Sequence, residues 1–139
     1  MRSIQFVTGE LYHIYNRAVE GREIFHRKSY TTYFLESILV GNTTLTMDQH
    51  WRRDLRNRKE VMVSPLVEII ALVLMPNHFH MFVRQLVDDG IPKLLQRVCN
   101  SFAKYLNKAE ERKGGLFMGP YQAVHVLFDV HAQHLITYI

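Results

Sequence analysis

The chain of 139 residues contains a single cysteine, Cys99, which excludes an internal disulfide and a zinc site built from several cysteines. Its seven glycines and four prolines are too few for a collagen-like or low-complexity protein. The longest strongly apolar run, residues 69–76, is too short to span a bilayer as a helix. The first residues, MRSIQ, lack the apolar segment of a secretory signal. We therefore expect one soluble domain over residues 1–139, in a reducing compartment.

Basic residues outnumber acidic ones, and they are unevenly distributed. Seventeen Lys and Arg against 13 Asp and Glu give a net charge of +4 with His neutral. Three stretches are rich in basic residues: Arg17, Arg22, Arg27 and Lys28; Arg52, Arg53, Arg56, Arg58 and Lys59; Lys104, Lys108, Arg112 and Lys113. Such clusters are compatible with nucleic-acid binding, although each one alone is more often a solvated surface.

The first half of the chain predicts a strand, a helix and a long excursion. Residues 11–16 are aromatic and β-branched, which favours a strand. Apolar residues at helical spacing predict a helix over 29–39, with Ser29 as its N-cap and Gly41 at its end. The polar stretch 43–65 has the least pattern and is interpreted as a loop excursion.

The second half predicts a hairpin, a helix, a strand and a last helix. The apolar run 67–75 is typical of a central strand buried on both faces, and a turn at Pro76 leads into a strand over 78–84. A helix follows over 91–113, ended by Gly114 and Gly115; the later predicted elements are a strand at 123–128 and a helix at 129–139. The order βαββαβ plus a helix predicts the α+β class: a ferredoxin-like antiparallel sheet with helices on one face.

Two histidines, His78 and His80, flank Phe79 at the start of a predicted strand. Residues i and i+2 of a strand point to the same face, so both imidazoles should lie side by side on the open face of the sheet. Phe79 should face the helices. Two such imidazoles can share a divalent cation if further ligands come from elsewhere. An ordinary pair of surface histidines remains the alternative.

The predicted last helix carries a second group of reactive side chains. His131, His134 and Tyr138 are spaced i, i+3 and i+7, which places them on one stripe of the helix. A tyrosine in such a position is usually a half-buried core residue whose hydroxyl is exposed to solvent. The alternative is a nucleophilic phenol, which needs a nearby base or an electrophile polarised by a metal.

The stretch 74–80, LMPNHFH, resembles the HUH signature (His, hydrophobic residue, His) of the single-tyrosine transposases. The similarity is greatest to the branch of REP-associated tyrosine transposases. Further stretches agree with this family: residues 12–17 and 24–25, 101–107 and 115–117, and 129–139. The resemblance covers most of the chain from residue 10 onward.

The resemblance implies roles for the residues singled out above. Tyr138 would be the catalytic nucleophile that cleaves and rejoins single-stranded DNA through a 5′-phosphotyrosine link. His78 and His80 would ligate Mg²⁺ or Mn²⁺, and His134 would support the helix face beside the tyrosine. Tyr105, a rival nucleophile, does not match the family's catalytic position.

The family's third metal ligand lies one helical turn after the tyrosine, which would be position 142 here. Since the sequence has 139 residues, the resemblance implies a chain truncated at its C-terminus, with an incomplete ligand set. After Gly115, Phe117 and Pro120 stand where the family usually carries Trp and Arg.

The implied substrate is single-stranded DNA with a hairpin, and the implied protein is cytoplasmic, DNA-associated and of bacterial type, with no membrane partner. Candidate phosphate contacts are Arg17, Arg22, Lys104 and Lys108. Monomers and homodimers both occur in the family, and the sequence favours neither. Two alternatives stay open: a catalytically inactive relative that binds hairpin DNA, and a ferredoxin-like small-molecule or regulatory domain with an incidental histidine pair.

Overall fold

The computed structural model describes residues 4–45 and 64–127. They form strands β1 (Leu11–Arg17), β2 (Val67–Met75), β3 (His78–Gln85) and β4 (Gln122–Val126), and helices α1 (Lys28–Gly41) and α2 (Gly90–Ala109). A short 3₁₀ turn, Val19–Gly21, follows β1. The succession confirms the predicted βαββαβ order. The predicted helix 129–139 and most of the excursion 43–65 lie outside the described residues.

The four strands form one antiparallel sheet in the order β2-β3-β1-β4, as in a ferredoxin-like fold. Helices α1 and α2 cover one face of this sheet. The core between them is built from alternate strand positions and the inner sides of the helices: Tyr12, Ile14, Phe79, Met81, Val83, Phe34, Ile38, Leu94, Val98 and Phe102. The predicted fold class is therefore confirmed.

Alternation along β1 and β3 separates the residues of the two faces. Tyr12 and Ile14 on β1, and Phe79 on β3, are fully buried against the helices. The residues between them, among them His78 and His80, point to the face that α1 and α2 leave open. The prediction that Phe79 belongs to the covered face is confirmed.

The prediction that β2 is a central strand is wrong, because β2 lies at the edge of the sheet and pairs only with β3. Glu68, Ile70 and Met75 are exposed rather than buried on a second face. A register shift between Ile69 and Ala71 also interrupts the regular pairing with β3. An apolar run indicates that a strand is hydrophobic, but it does not indicate whether that strand pairs with one neighbouring strand or with two.

Both helices differ from their predicted limits. Helix α1 takes Arg27 as its N-cap, without a side-chain hydrogen bond, so the prediction of Ser29 as the cap is wrong. Helix α2 ends at Ala109 instead of continuing to residue 113, and Glu111 soon after it adopts a left-handed backbone with φ of 51°. Neither helix of the described part of the chain is long and apolar enough to cross a membrane.

The side chain of Asn42 joins the end of α1 to the start of β2. Its Oδ1 accepts hydrogen bonds from the backbone N–H groups of Leu66 (2.9 Å) and Val67 (3.0 Å). Its Nδ2 donates to the carbonyl of Val67 at 2.9 Å. One amide at the start of the excursion 43–65 therefore satisfies three backbone groups at its far end, on Leu66 and Val67.

Candidate active site

The candidate metal ligands stand at the start of β3, directly after the two-residue turn of Pro76 and Asn77. This turn is held from the side by the backbone that follows β1. The N–H of Ala18 donates to the carbonyl of Asn77 at 2.9 Å, and the N–H of Ile24 donates to the carbonyl of Pro76 at 2.7 Å. These bonds give the first residues of β3 a defined position.

His78 and His80 lie next to each other on the open face of the sheet. Their ring centroids are 5.1 Å apart and their planes are almost perpendicular, at 83°. Both residues are half-buried, so the imidazoles are supported by neighbours while remaining accessible. The structure brings this pair together as the i, i+2 spacing predicts.

Each imidazole of the pair has one ring nitrogen engaged in a hydrogen bond. Nδ1 of His78 lies 2.7 Å from Oδ1 of Asn77, and Nδ1 of His80 lies 2.9 Å from Nε2 of His13. Since Oδ1 of Asn77 is an acceptor, Nδ1 of His78 is the donor in the first bond. Nε2 of His78 then carries the lone pair that a cation requires.

Burial, and secondly the charge of His78, lower the pKa of His80 below its usual value of 6.5. Both effects disfavour the imidazolium form. Because a metal binds only the neutral imidazole, this shift keeps His80 in the form that can act as a ligand.

A pocket of about 400 Å³ opens beside the two histidines. Its wall is formed by residues from β1, β3, β4 and the segment before β4: Tyr15, Asn16, Arg17, His78, His80, Met118 and Gln122. The segment before β4 reaches this position because the N–H of Met118 donates to the carbonyl of Arg17 at 2.9 Å. The pocket thus combines imidazole, guanidinium, amide and phenol groups on one face.

The histidine pair fits part of a metal site. Two neutral imidazoles suit Mn²⁺, and Mg²⁺ could be held if oxygen ligands completed its shell. The hydrogen bonds at the Nδ1 atoms match the second-shell contacts that usually orient ligating histidines. Within residues 4–45 and 64–127, however, no group of three His, Cys, Asp or Glu side chains is arranged to hold a metal ion.

Structural comparison finds the same architecture in DNA transposases. A REP-associated tyrosine transposase bound to a REP hairpin superposes with a TM-score of 0.67 at 14% identity, covering 100% of this chain and 69% of that one. A provisionally assigned transposase from Deinococcus radiodurans R1 superposes with a TM-score of 0.53 at 15% identity, covering 99% and 94%. No family model and no curated protein matches the sequence.

The chain has the fold of the tyrosine transposases. The resemblance that the sequence indicated is confirmed for the fold. At identities of 14% and 15%, the comparisons show the fold alone. Within this tyrosine transposase fold, the open face of the sheet holds His78 and His80.

The four candidate phosphate contacts fall in different places on the tyrosine transposase fold. Arg17 is exposed, lines the histidine pocket and stands opposite His78 in the pairing of β1 with β3. Arg22 forms an ion pair with Glu110, at 2.7 Å. Lys104 and Lys108 are exposed on α2, which covers the opposite face of the sheet. The structure therefore brings only Arg17 to the histidines.

The tyrosines considered from sequence are likewise separated. Tyr138 and His134 lie outside the described residues. Tyr105 is half-buried on α2, and its ring stacks on that of Tyr33 at 4.0 Å. In the described part of the chain, Tyr15 is the tyrosine that lines the histidine pocket.

Sequence reasoning missed His13, Tyr15 and Gln122 as members of this site. His13, Tyr15 and Arg17 occupy every second position of β1, and the predicted strand over 11–16 already placed His13 and Tyr15 on one face. What was missing was the pairing of Tyr15 with His80, which sets these side chains beside the histidine pair. Cys99 lies on α2 and does not line this pocket, and burial raises the pKa of its thiol to about 12.

Proposed function

We propose that this protein is a metal-dependent DNA strand-transferase of the tyrosine transposase type, which nicks and rejoins single-stranded DNA. The observation that carries the proposal is the pair His78 and His80. Both imidazoles are accessible, have their Nδ1 atoms engaged, and border a pocket that also contains Arg17. An incidental pair of surface histidines would need neither these partners nor this pocket.

We propose hairpin DNA with a single-stranded flank as the substrate. A protein of the same fold binds a REP hairpin, and the net charge of +4 favours a polyanion. Arg17 at the pocket would hold a phosphate, and the half-buried ring of Tyr15 offers a surface on which an unpaired base can stack. Arg22, Lys104 and Lys108 are proposed as outer phosphate contacts, away from the bond that is cleaved.

Nε2 atoms of His78 and His80 would hold Mn²⁺ or Mg²⁺. When bound, the metal would polarise the scissile phosphate and stabilise the charge that develops on its oxygens. The remaining coordination positions would be filled by the phosphate, by water or by a group outside residues 4–45 and 64–127.

The proposed nucleophile is Tyr138, with His134 supporting its helix face. Its phenolic oxygen would form a bond to the scissile phosphorus while the bond from phosphorus to the 3′-oxygen breaks. The phenolic proton leaves with the 3′-oxygen, giving a free 3′-hydroxyl and a 5′-phosphotyrosine. Reversal with a different 3′-hydroxyl would rejoin the strands.

The test is the formation of a covalent adduct. The protein is incubated in Mn²⁺ with labelled oligonucleotides that carry a hairpin stem and randomised single-stranded flanks, and the products are separated on a denaturing gel. We expect an adduct with the wild type, and with Tyr105→Phe as the matched control, but none with Tyr138→Phe or His78→Ala.

Two results would contradict the proposal. Adduct formed by Tyr138→Phe but lost in Tyr15→Phe would assign the chemistry to the phenol that lines the pocket. Hairpin binding by the wild type without adduct at any Mn²⁺ concentration would instead indicate a protein that binds DNA without cleaving it.

A further inference from the structure

We propose that His13 is a positioning residue for the metal site: Nε2 of His13 accepts a hydrogen bond from Nδ1–H of His80 and thereby leaves Nε2 of His80 free to bind the cation. This inference rests on the proposed function, because it concerns how His80 is presented to the metal. It adds a third histidine, from a different strand, to the pair that the HUH signature contains.

The contact between the two rings is close and well aligned. Nε2 of His13 lies 2.9 Å from Nδ1 of His80. The ring planes differ by 22°, and the centroids are 5.1 Å apart. This distance requires one of the two nitrogens to carry the proton that the other accepts.

The direction of this bond decides whether His80 can be a ligand. A neutral imidazole carries a proton on one ring nitrogen only. If His13 donated the proton, His80 would hold its own on Nε2 and would have no lone pair there. If His13 accepts, Nδ1 of His80 is protonated and Nε2 is bare.

The neighbouring ligand supports the second direction. His78 donates from Nδ1 to Oδ1 of Asn77, so its Nε2 is the bare nitrogen. With His13 as the acceptor, His80 adopts the same tautomer, and both imidazoles offer Nε2 to a shared cation. The two acceptors come from different elements, since Asn77 lies in the turn before β3 and His13 lies on β1.

The fold holds His13 at a fixed place. Its neighbours on β1, Tyr12 and Ile14, are fully buried in the core, and Ile14 pairs with Met81 of β3. Because the backbone is fixed on both sides of His13, the side chain can change position only by changing its rotamer. His13 is therefore preorganised for its contact with His80.

The experiment measures Mn²⁺ affinity by isothermal titration of the full chain. We expect His13→Leu to weaken Mn²⁺ binding by about 10- to 100-fold, the usual loss when an outer-shell partner of a ligating histidine is removed. His13→Gln should recover most of the affinity, because the amide oxygen can accept the same hydrogen bond. His26→Leu, which removes an exposed histidine from the segment before α1, is the control and should bind as the wild type does.

A measurement on the unmutated protein tests the same inference without any change in stability. Long-range ¹H–¹⁵N correlation spectra distinguish protonated from bare ring nitrogens, and we expect His80 to be protonated on Nδ1 and His13 to be bare on Nε2. A proton on Nε2 of His80 in these spectra would overturn the inference. Wild-type affinity in His13→Leu would overturn it too, and would leave the proposed function intact. A wild-type protein that binds no Mn²⁺ would remove both the metal-dependent function and this inference.

Discussion

The two faces of β3 carry residues of opposite character, although these residues alternate along one short stretch of chain. Phe79, Met81 and Val83 are fully buried against the helices. His78 and His80 are half-buried on the other face and border a polar pocket. The period of two along a strand thus separates the residues that hold the fold together from those that can carry chemistry.

The open face is itself divided along the strands. At one end, Phe82 and Val126 are buried together, with Leu11 and Ala71 packed against them. At the other end are the histidines and Arg17. The apolar end stabilises the pairing of the strands, so the polar end need not contribute to the core.

The largest expected effect is on the open face. In the double variant His78→Ala, His80→Ala, formation of the covalent DNA adduct should be lost entirely. The free energy of unfolding should change little, since both side chains lie outside the core. The adduct assay and urea unfolding of the same preparations measure the two quantities. An inactive variant that is also largely unfolded would contradict the separation of the faces.

The second effect is on the covered face. Phe79→Ala should lower the free energy of unfolding by about 3–5 kcal/mol, because a fully buried ring is replaced by a cavity. The ring of Phe79 contacts those of Phe34 and Phe117, with centroids 5.3 and 5.9 Å away, and the alanine variant loses both contacts. Urea unfolding of Phe79→Ala and of the milder Phe79→Leu gives the comparison. A loss below about 1 kcal/mol for the alanine variant would show that the core is elsewhere.

The third effect concerns the helix layer. The side chain of Tyr30 is buried and its hydroxyl donates to Oε2 of Glu110 at 3.0 Å, so Tyr30→Phe should lower the free energy of unfolding by about 1 kcal/mol at neutral pH. Burial, followed by the contact with Glu110, raises the pKa of Tyr30 above 10.0.

A raised folded-state pKa means that this contribution to stability is complete below the unfolded pKa and is lost as pH rises through the folded value. The stability of the wild type should therefore fall towards that of Tyr30→Phe above pH 10.0. Urea midpoints at neutral and alkaline pH measure the difference. A difference that does not change with pH would contradict the assignment.

The smallest expected effect compares two arginines of the open face. Arg17→Gln should weaken binding of a hairpin oligonucleotide. It should also reduce, by about one, the steepness with which the logarithm of the binding constant falls with the logarithm of the salt concentration. Arg84→Gln is the matched control, because Arg84 is at the other end of β3, where it pairs with Glu68 and the carbonyl of Gly9. Equal changes in both variants would show that DNA does not distinguish the two ends of this face.

The strands and the histidine pair could be predicted because they depend on local alternation. Residues 11–16 and 78–84 have the period of a strand, and the same period places His78 and His80 together. The edge position of β2 could not be predicted from its apolar run, because strand order depends on contacts between distant parts of the chain. For the same reason His13 was missed: its approach to His80 depends on the register between β1 and β3.

The helix ends were missed for a different reason. Gly114 and Gly115 are the residues that most favour the left-handed backbone at the end of a helix. The chain adopts that conformation earlier, at Glu111, where sequence statistics do not expect it. The backbone of Arg112 then donates to the carbonyl of Asn107 at 2.9 Å, which replaces a further helical turn.

The amide of Asn42 has a practical consequence for engineering this protein. Its three hydrogen bonds, with that from the N–H of Thr44 to the carbonyl of Ser64 at 2.9 Å, bring the two ends of the excursion 43–65 together. Since the entropy of closing a loop grows only with the logarithm of its length, residues added or removed between these anchors should have little effect on the sheet. An affinity tag or a fluorescent reporter inserted between these anchors should therefore leave the urea unfolding midpoint of the sheet nearly unchanged.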